Sequence, residues 1–280
     1  MKNTRVRILA PFKVAFTSAL LLSLVGCGML SQLSKFGPPP PMSTAGNWQF
    51  DLMDSNGNVA STATGFLQQS GSTVTGAFDV NGCATNASVT GSVGSGDSGP
   101  NAITLSSNID GQTLQIVGSG IGSIAPGTAI EGTYTVGALG CPISGLTSTV
   151  SGQQINPISG AFHGSVQTTN GGTLNISGSV AQGQNAGAVA ATLSGTATVT
   201  GSACFSSVTL SGTISGTAVV LSLTSSDGSQ TAALTALPQS AGQLISGTPG
   251  SFTITQLSGT YAASTGSCAG DTGTFTVTFP

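Results

Sequence analysis

Cations are missing from almost the whole chain. Of 280 residues only five are Lys or Arg, and Lys2, Arg5, Arg7, Lys13 and Lys35 all lie in the first 35 positions. The eight acidic residues (Asp51, Asp54, Asp79, Asp97, Asp110, Glu131, Asp227 and Asp271) all follow position 50, so the body is purely anionic. Nucleic-acid binding uses Lys and Arg to displace counterions from phosphates, and a body without either is repelled by a phosphate backbone. The same lack removes the phosphate clamps and guanidinium forks that hold anionic substrates. Histidine is limited to His163, and one Trp and two Tyr leave few rings for a sugar to stack on.

What is present is small and neutral. Gly, Ser and Thr make up roughly two fifths of the chain, a composition that suits strands and turns and supports few helices. Glycine shows no strict triplet period, which excludes collagen, and 38% of the residues are hydrophobic, which argues against a wholly disordered chain.

Residues 1–13 carry four positive charges, and Val14 to Gly26 form a short apolar stretch of signal-peptide rather than membrane-spanning length. It ends Leu24-Val25-Gly26-Cys27, which resembles the lipobox of bacterial lipoproteins: an aliphatic residue, a small residue at the cleavage point, then a cysteine. The resemblance implies removal of 1–26, lipidation of Cys27 and anchoring in a membrane by several acyl chains. Gly28 in place of an aspartate implies, by the sorting rule of that family, an outer-membrane address in a diderm host. Residues 27–45 then read as the lipidated cysteine and a tether, because they lack strand alternation and contain the run Pro38 to Pro41. At ~3.3 Å per residue such a tether reaches about 60 Å.

Beyond it, short alternating runs are separated by Asn56-Gly57, Asn81-Gly82, Asp110-Gly111, Asn170-Gly171 and Asp227-Gly228, the signals of hairpins joined in series. Two stretches repeat each other. Gly132-Thr133-Tyr134 is followed seven residues after the tyrosine by Cys141, and Gly259-Thr260-Tyr261 likewise by Cys268; these are the only tyrosines. Gly46, Trp48, Leu52, Asn56 and Gly57 match Gly160, Phe162, Val166, Asn170 and Gly171 at a constant offset. The chain therefore reads as two homologous β domains, 46–153 and 157–280.

Setting Cys27 aside leaves four cysteines in an exported protein, an even number in an oxidising compartment. The duplication selects Cys83–Cys141 and Cys204–Cys268, one bridge per domain. A zinc site is the rival reading, and it fails because no two of these cysteines are close in sequence and only one histidine exists.

The alternating runs number about eight per domain, with Cys83 in the third connection and Cys141 in the seventh. In an up-and-down meander those connections share one end, so the fold class is all-β: two tandem antiparallel meanders closed as eight-stranded barrels, with a two-sheet sandwich as the alternative. Closure also removes edge strands that no lysine guards. Gly46-Asn47-Trp48 resembles the Gly-x-Trp opening of lipocalin- and avidin-type barrels, which implies a core place for Trp48 at the base of the barrel and for Phe162 in the second domain. A glycine-rich β-solenoid is the architectural runner-up.

Four constellations invite a chemical reading. Gly96-Asp97-Ser98-Gly99-Pro100 resembles the nucleophile motif of chymotrypsin-like proteases, but a serine is inert without a base and the only histidine follows it in the unrelated context Ala161-Phe162-His163-Gly164. Alternation points His163 outward, since Phe162 takes the core. Gly94 to Gly99 has dinucleotide-binding glycine spacing yet leads into Ala102-Ile103-Thr104-Leu105, a strand rather than the required helix. Asp54-Ser55-Asn56-Gly57-Asn58 begins like a calcium loop, but Val59 stands where glycine is needed and no glutamate closes it, so a hairpin turn is expected. The acidic residues form no pair suited to glycoside hydrolysis.

The sequence thus points to a non-enzymatic, lipid-anchored envelope protein without cofactor or metal, its role structural or adhesive, with the membrane as partner through Cys27. The alternatives are a small apolar ligand held inside a barrel, favoured by an unfilled interior, and a serine hydrolase using Ser98 or another serine with His163.

Overall fold

The structure, a computed structural model, describes residues 42–94, 101–121, 129–183, 189–238, 245–246 and 252–280. The stretch expected to be a signal peptide, Cys27, most of the tether, Asp97 and Ser98 lie outside them. The described residues contain no helix.

Eight antiparallel strands form a closed barrel in simple up-and-down order: β1 (Gly46–Met53), β2 (Val59–Ser70), β3 (Thr73–Val80), β4 (Ala84–Val93), β5 (Ala102–Ile109), β6 (Gln112–Ile121), β7 (Ala129–Val136) and β8 (Thr147–Ile155), with β8 pairing back onto β1. A second barrel repeats the plan with β9 (Ser159–Thr168), β10 (Thr173–Gln182), β11 (Ala191–Thr200), β12 (Ser207–Ser215), β13 (Ala218–Ser225) and β14 (Thr231–Ala236). A small two-stranded excursion of β15 (Ile245–Ser246) and β16 (Thr253–Ile254) interrupts it before β17 (Gln256–Thr265) and β18 (Thr272–Thr278), which closes on β9. The sandwich and the solenoid are thereby excluded.

Period-two alternation builds each wall. In β11, Ala191, Leu193, Ala197 and Val199 are buried while Thr192, Ser194, Thr196, Thr198 and Thr200 face out. The inward rows form two separate cores. Trp48 stacks on Phe50 with ring centroids 5.5 Å apart, and Phe50 meets Phe78 at 5.3 Å. Phe162 is buried in the second core as its counterpart.

A row of inward glycines runs through both barrels, one on each of β2, β3, β4, β6 to β12, β17 and β18. A Cβ on Gly195 would lie 2.1 Å from the Ser179 carbonyl oxygen, and one on Gly212 would lie 2.0 Å from that of Val220. Neighbouring strands press on these positions, so only a residue without a side chain lets the sheet coil tightly enough to close. The sequence carries the signal as Leu-Ser-Gly-Thr, which starts at Leu193, Leu210 and Leu257.

Disulfides close one end of each barrel. Cys83 in the β3–β4 turn joins Cys141 in the β7–β8 connection, and Cys204 joins Cys268 in the matching places, with Cα atoms 5.1 and 6.1 Å apart. Beside each bridge an apolar residue plugs the mouth: Ile143 in the first barrel and Phe205 in the second. The end of the tether corrects the sequence boundary. Met42 is buried in the first core, Thr44 N–H donates to Gln69 Oε1 at 2.6 Å, and Trp48 Nε1–H donates to the Thr44 carbonyl at 2.7 Å. Residues 42–45 therefore belong to the barrel and not to the spacer.

Candidate functional site

The two barrels meet through a hairpin tip. Gly216 and Thr217 link β12 to β13, and this turn sits on the outer face of β1 and β2. The side-chain amide of Asn47 imitates a strand neighbour: its Nδ2 donates to the Gly216 carbonyl at 2.9 Å, and its Oδ1 accepts from Gly216 N–H at 2.7 Å. Gln49 Oε1 accepts from Thr217 Oγ1 at 2.7 Å and Thr217 N–H at 3.2 Å, and Ser215 Oγ donates to Thr64 Oγ1 at 3.0 Å. Asn47, Gln49, Thr64, Ser215 and Thr217 are all buried. Phe66, pointing out of β2, joins the core of the second barrel with Ile155 and Ile158. The β15–β16 excursion adds a clamp, since Asn156 N–H donates to the Phe252 carbonyl at 2.8 Å.

The second barrel does not offer the same face in return. At the positions matching Asn47 and Gln49 it has Ala161 and His163, and Ser177 and Ser179 stand opposite them across β10. Alanine has no amide to grip a turn, and serine is too small to replace Phe66. This face remains a shallow groove of about 520 Å³, with His163, Asn175, Ser177, Thr198 and Thr278 among its lining.

His163 is exposed, as alternation requires, and its backbone pairs with β10 and β18 while its imidazole makes no hydrogen bond to the described residues. Ser177 and Thr278 are its cross-strand neighbours, and the described residues lining the groove include no carboxylate to orient the ring. Among the described residues, no side chain stands to His163 in the base–orienter geometry that nucleophilic catalysis uses.

The Asp54 segment is a self-contained turn. Asp54 Oδ1 accepts from the backbone N–H of Asn56 at 2.8 Å and of Asn58 at 2.9 Å. These bonds, the one from Asn58 foremost, hold its carboxyl below the usual range. Asp227 is set lower, to about 2, by Ser225 Oγ–H first and then by Ser229. In both turns the carboxylate oxygens are occupied by N–H and O–H donors, and no group of three metal-binding side chains occurs among the described residues. Burial pushes the phenols of Tyr134 and Tyr261 up, with nearby acids (Asp54 and Asp271) adding to it, and Tyr134 Oη–H donates to the Met53 carbonyl at 2.7 Å. β5 occupies the stretch where a dinucleotide motif would need a helix.

Between Phe162, Ile176, Leu234, Leu257 and Phe275 of the second barrel lies a cavity of about 20 Å³, room for about one water. The larger hollows lie outside. A cleft of about 540 Å³ beside the hairpin contact is lined by Thr62, Thr64, Asp79 and Asn81 of the first barrel and Ser215 and Ala218 of the second. Elsewhere the outer wall is a hydroxyl array, with Thr192, Ser194 and Thr196 directly opposite Thr213, Ser211 and Thr209. Sequence reasoning missed the hairpin contact because Asn47 and Gln49 occupy ordinary outward positions of a strand. No protein-family model matches the chain, and neither a curated protein nor a solved structure matches it.

Proposed function

We propose that this is a non-enzymatic, lipid-anchored protein of the bacterial cell envelope whose role is structural or adhesive. The observation that carries the reading is where the molecule spends its chemistry. The cavity between the core residues of its second barrel holds about 20 Å³, against the roughly 300 Å³ at which small-molecule pockets begin. The outer wall, by contrast, is a cation-free coat of hydroxyls and amides on a rigid pair of disulfide-closed barrels. The lipobox-like Leu24-Val25-Gly26-Cys27 supplies the anchor, and the proline run leads from it to the barrels.

Detergent phase partitioning of cells expressing the full chain tests this, with the Cys27→Ser variant beside it. The expected result is that the protein enters the detergent phase and that the variant accumulates as uncleaved precursor. Equal partitioning of correctly processed variant and parent would refute the lipid anchor. Labelling of the folded protein by a serine-reactive fluorophosphonate, abolished by His163→Ala, would refute the non-enzymatic reading.

A further inference from the structure

The five turns that punctuate the sequence share an Asx-Gly step, and four of them lock the glycine nitrogen. Gly57 N–H donates to the Asp54 carbonyl at 3.1 Å, Gly171 N–H to that of Thr168 at 3.0 Å, and Gly228 N–H to that of Ser225 at 2.9 Å. Gly111 N–H donates to Asn108 Oδ1 at 3.1 Å. Gly82 is the exception: its N–H has no partner among the described residues, and neither has the side-chain amide of Asn81. Both residues are exposed, and Gly82 has a φ of +71°. The carbonyl of the peptide group that contains this nitrogen is polarised, because Ser61 Oγ–H donates to the Asn81 carbonyl oxygen at 2.8 Å.

We propose that Asn81 is a site of spontaneous modification, at which the Gly82 nitrogen closes onto the Asn81 side chain. Hydroxide removes the Gly82 amide proton, and the resulting charge spreads onto the Asn81 carbonyl oxygen, where the Ser61 hydroxyl receives it. The nitrogen then attacks Asn81 Cγ; the new C–N bond closes a succinimide, and Nδ2 departs as ammonia after taking a proton from water. Water opens the ring at either carbonyl, leaving an aspartyl or isoaspartyl linkage at position 81. The balance is one water consumed and one ammonia released. Glycine suits the step because it puts no side chain in the path of the ring.

The product bears on the surface the protein presents. A new carboxylate appears on the rim of the cleft between the barrels, which already holds Asp79. The isoaspartyl form also lengthens the backbone of the β3–β4 turn next to Cys83.

The test is ageing of the purified, oxidised protein at mildly alkaline pH. Chymotryptic peptide mass spectrometry and isoaspartyl methyltransferase labelling then compare Asn81 with Asn56 and Asn170. Asn81 is expected to convert first, and Ser61→Ala to slow it by roughly tenfold or less, the worth of one neutral hydrogen bond. Ser61→Thr, which retains the hydroxyl, should keep the parental rate, and Asn56 and Asn170 should be indifferent to both changes. Conversion of Asn56 or Asn170 as fast as Asn81 in the parent overturns the proposal without recourse to any variant. So does a lead of Asn81 that persists unchanged in the reduced, denatured chain, since the cause would then be local sequence and not this turn.

Discussion

Asn47→Ala should uncouple the two barrels while leaving each folded. Asn47 satisfies both the N–H and the carbonyl of Gly216 in a buried contact, at 2.7 and 2.9 Å. Removing the amide leaves two buried backbone groups unpaired, at about 1–3 kcal/mol each if water cannot reach them. Partial hydration of the gap brings the expected loss to about 3 kcal/mol, a factor of about 100 in the docking equilibrium. The single tryptophan makes this measurable, because Trp48 lies in the first barrel and its fluorescence reports that barrel alone. Far-UV circular dichroism reports both. In the parent the two signals should change together on denaturation; in Asn47→Ala the fluorescence and dichroism midpoints should separate. Substituting the counterpart, Ala161→Asn, should change stability by less than about 0.5 kcal/mol because that face is open. Coincident and unshifted midpoints in Asn47→Ala would refute the claim that this amide joins the barrels.

Three further outcomes follow from the same geometry. Gly195→Ala forces a Cβ to within 2.1 Å of the Ser179 carbonyl oxygen, so it should cost about 1–3 kcal/mol or more, whereas Gly140→Ala, which meets nothing within 4 Å, should leave the melting temperature in place. Replacing Cys83 and Cys141 together by Ser opens a loop of 58 residues, and on the chain-entropy model should lower stability by roughly 4 kcal/mol in a denaturant titration. The Asp227 carboxyl is depressed to about 2, so its contribution is complete above the ordinary carboxylate value of about 4 and disappears as pH falls through the folded value; carboxyl NMR titration of Ser225→Ala should show Asp227 moving back towards that ordinary value.

The legible parts of the fold were those written in scarce residues. Tyr134 with Cys141 and Tyr261 with Cys268 stand out because the chain has two tyrosines and five cysteines, and they led to the duplication, the bridges and the shared barrel end. The inward glycines were hidden by their abundance: Gly195 and Gly212 look like turn residues until alternation places them on the same face as Leu193 and Leu210. The junction was illegible for another reason. Gln49, next to the core residue Trp48 in strand alternation, faces outward, but only the tertiary structure shows that outward means buried against Thr217. Met42 to Ala45 carry no strand pattern, so nothing local distinguishes a spacer from a plug. Of the candidate catalytic residues, His163 is placed in the open and Ser98 lies outside the described residues.

The central claim is that the protein works by the outer surface of two closed barrels held to a membrane through Cys27. Native mass spectrometry of the protein extracted from its host membrane in mild detergent tests it most directly. The account predicts one species, the chain from residue 27 onward with two disulfides and a diacylglyceryl-type lipid, and nothing else bound. A stoichiometric apolar small molecule that survives extraction and leaves only on unfolding would contradict it, as would a mature chain without lipid.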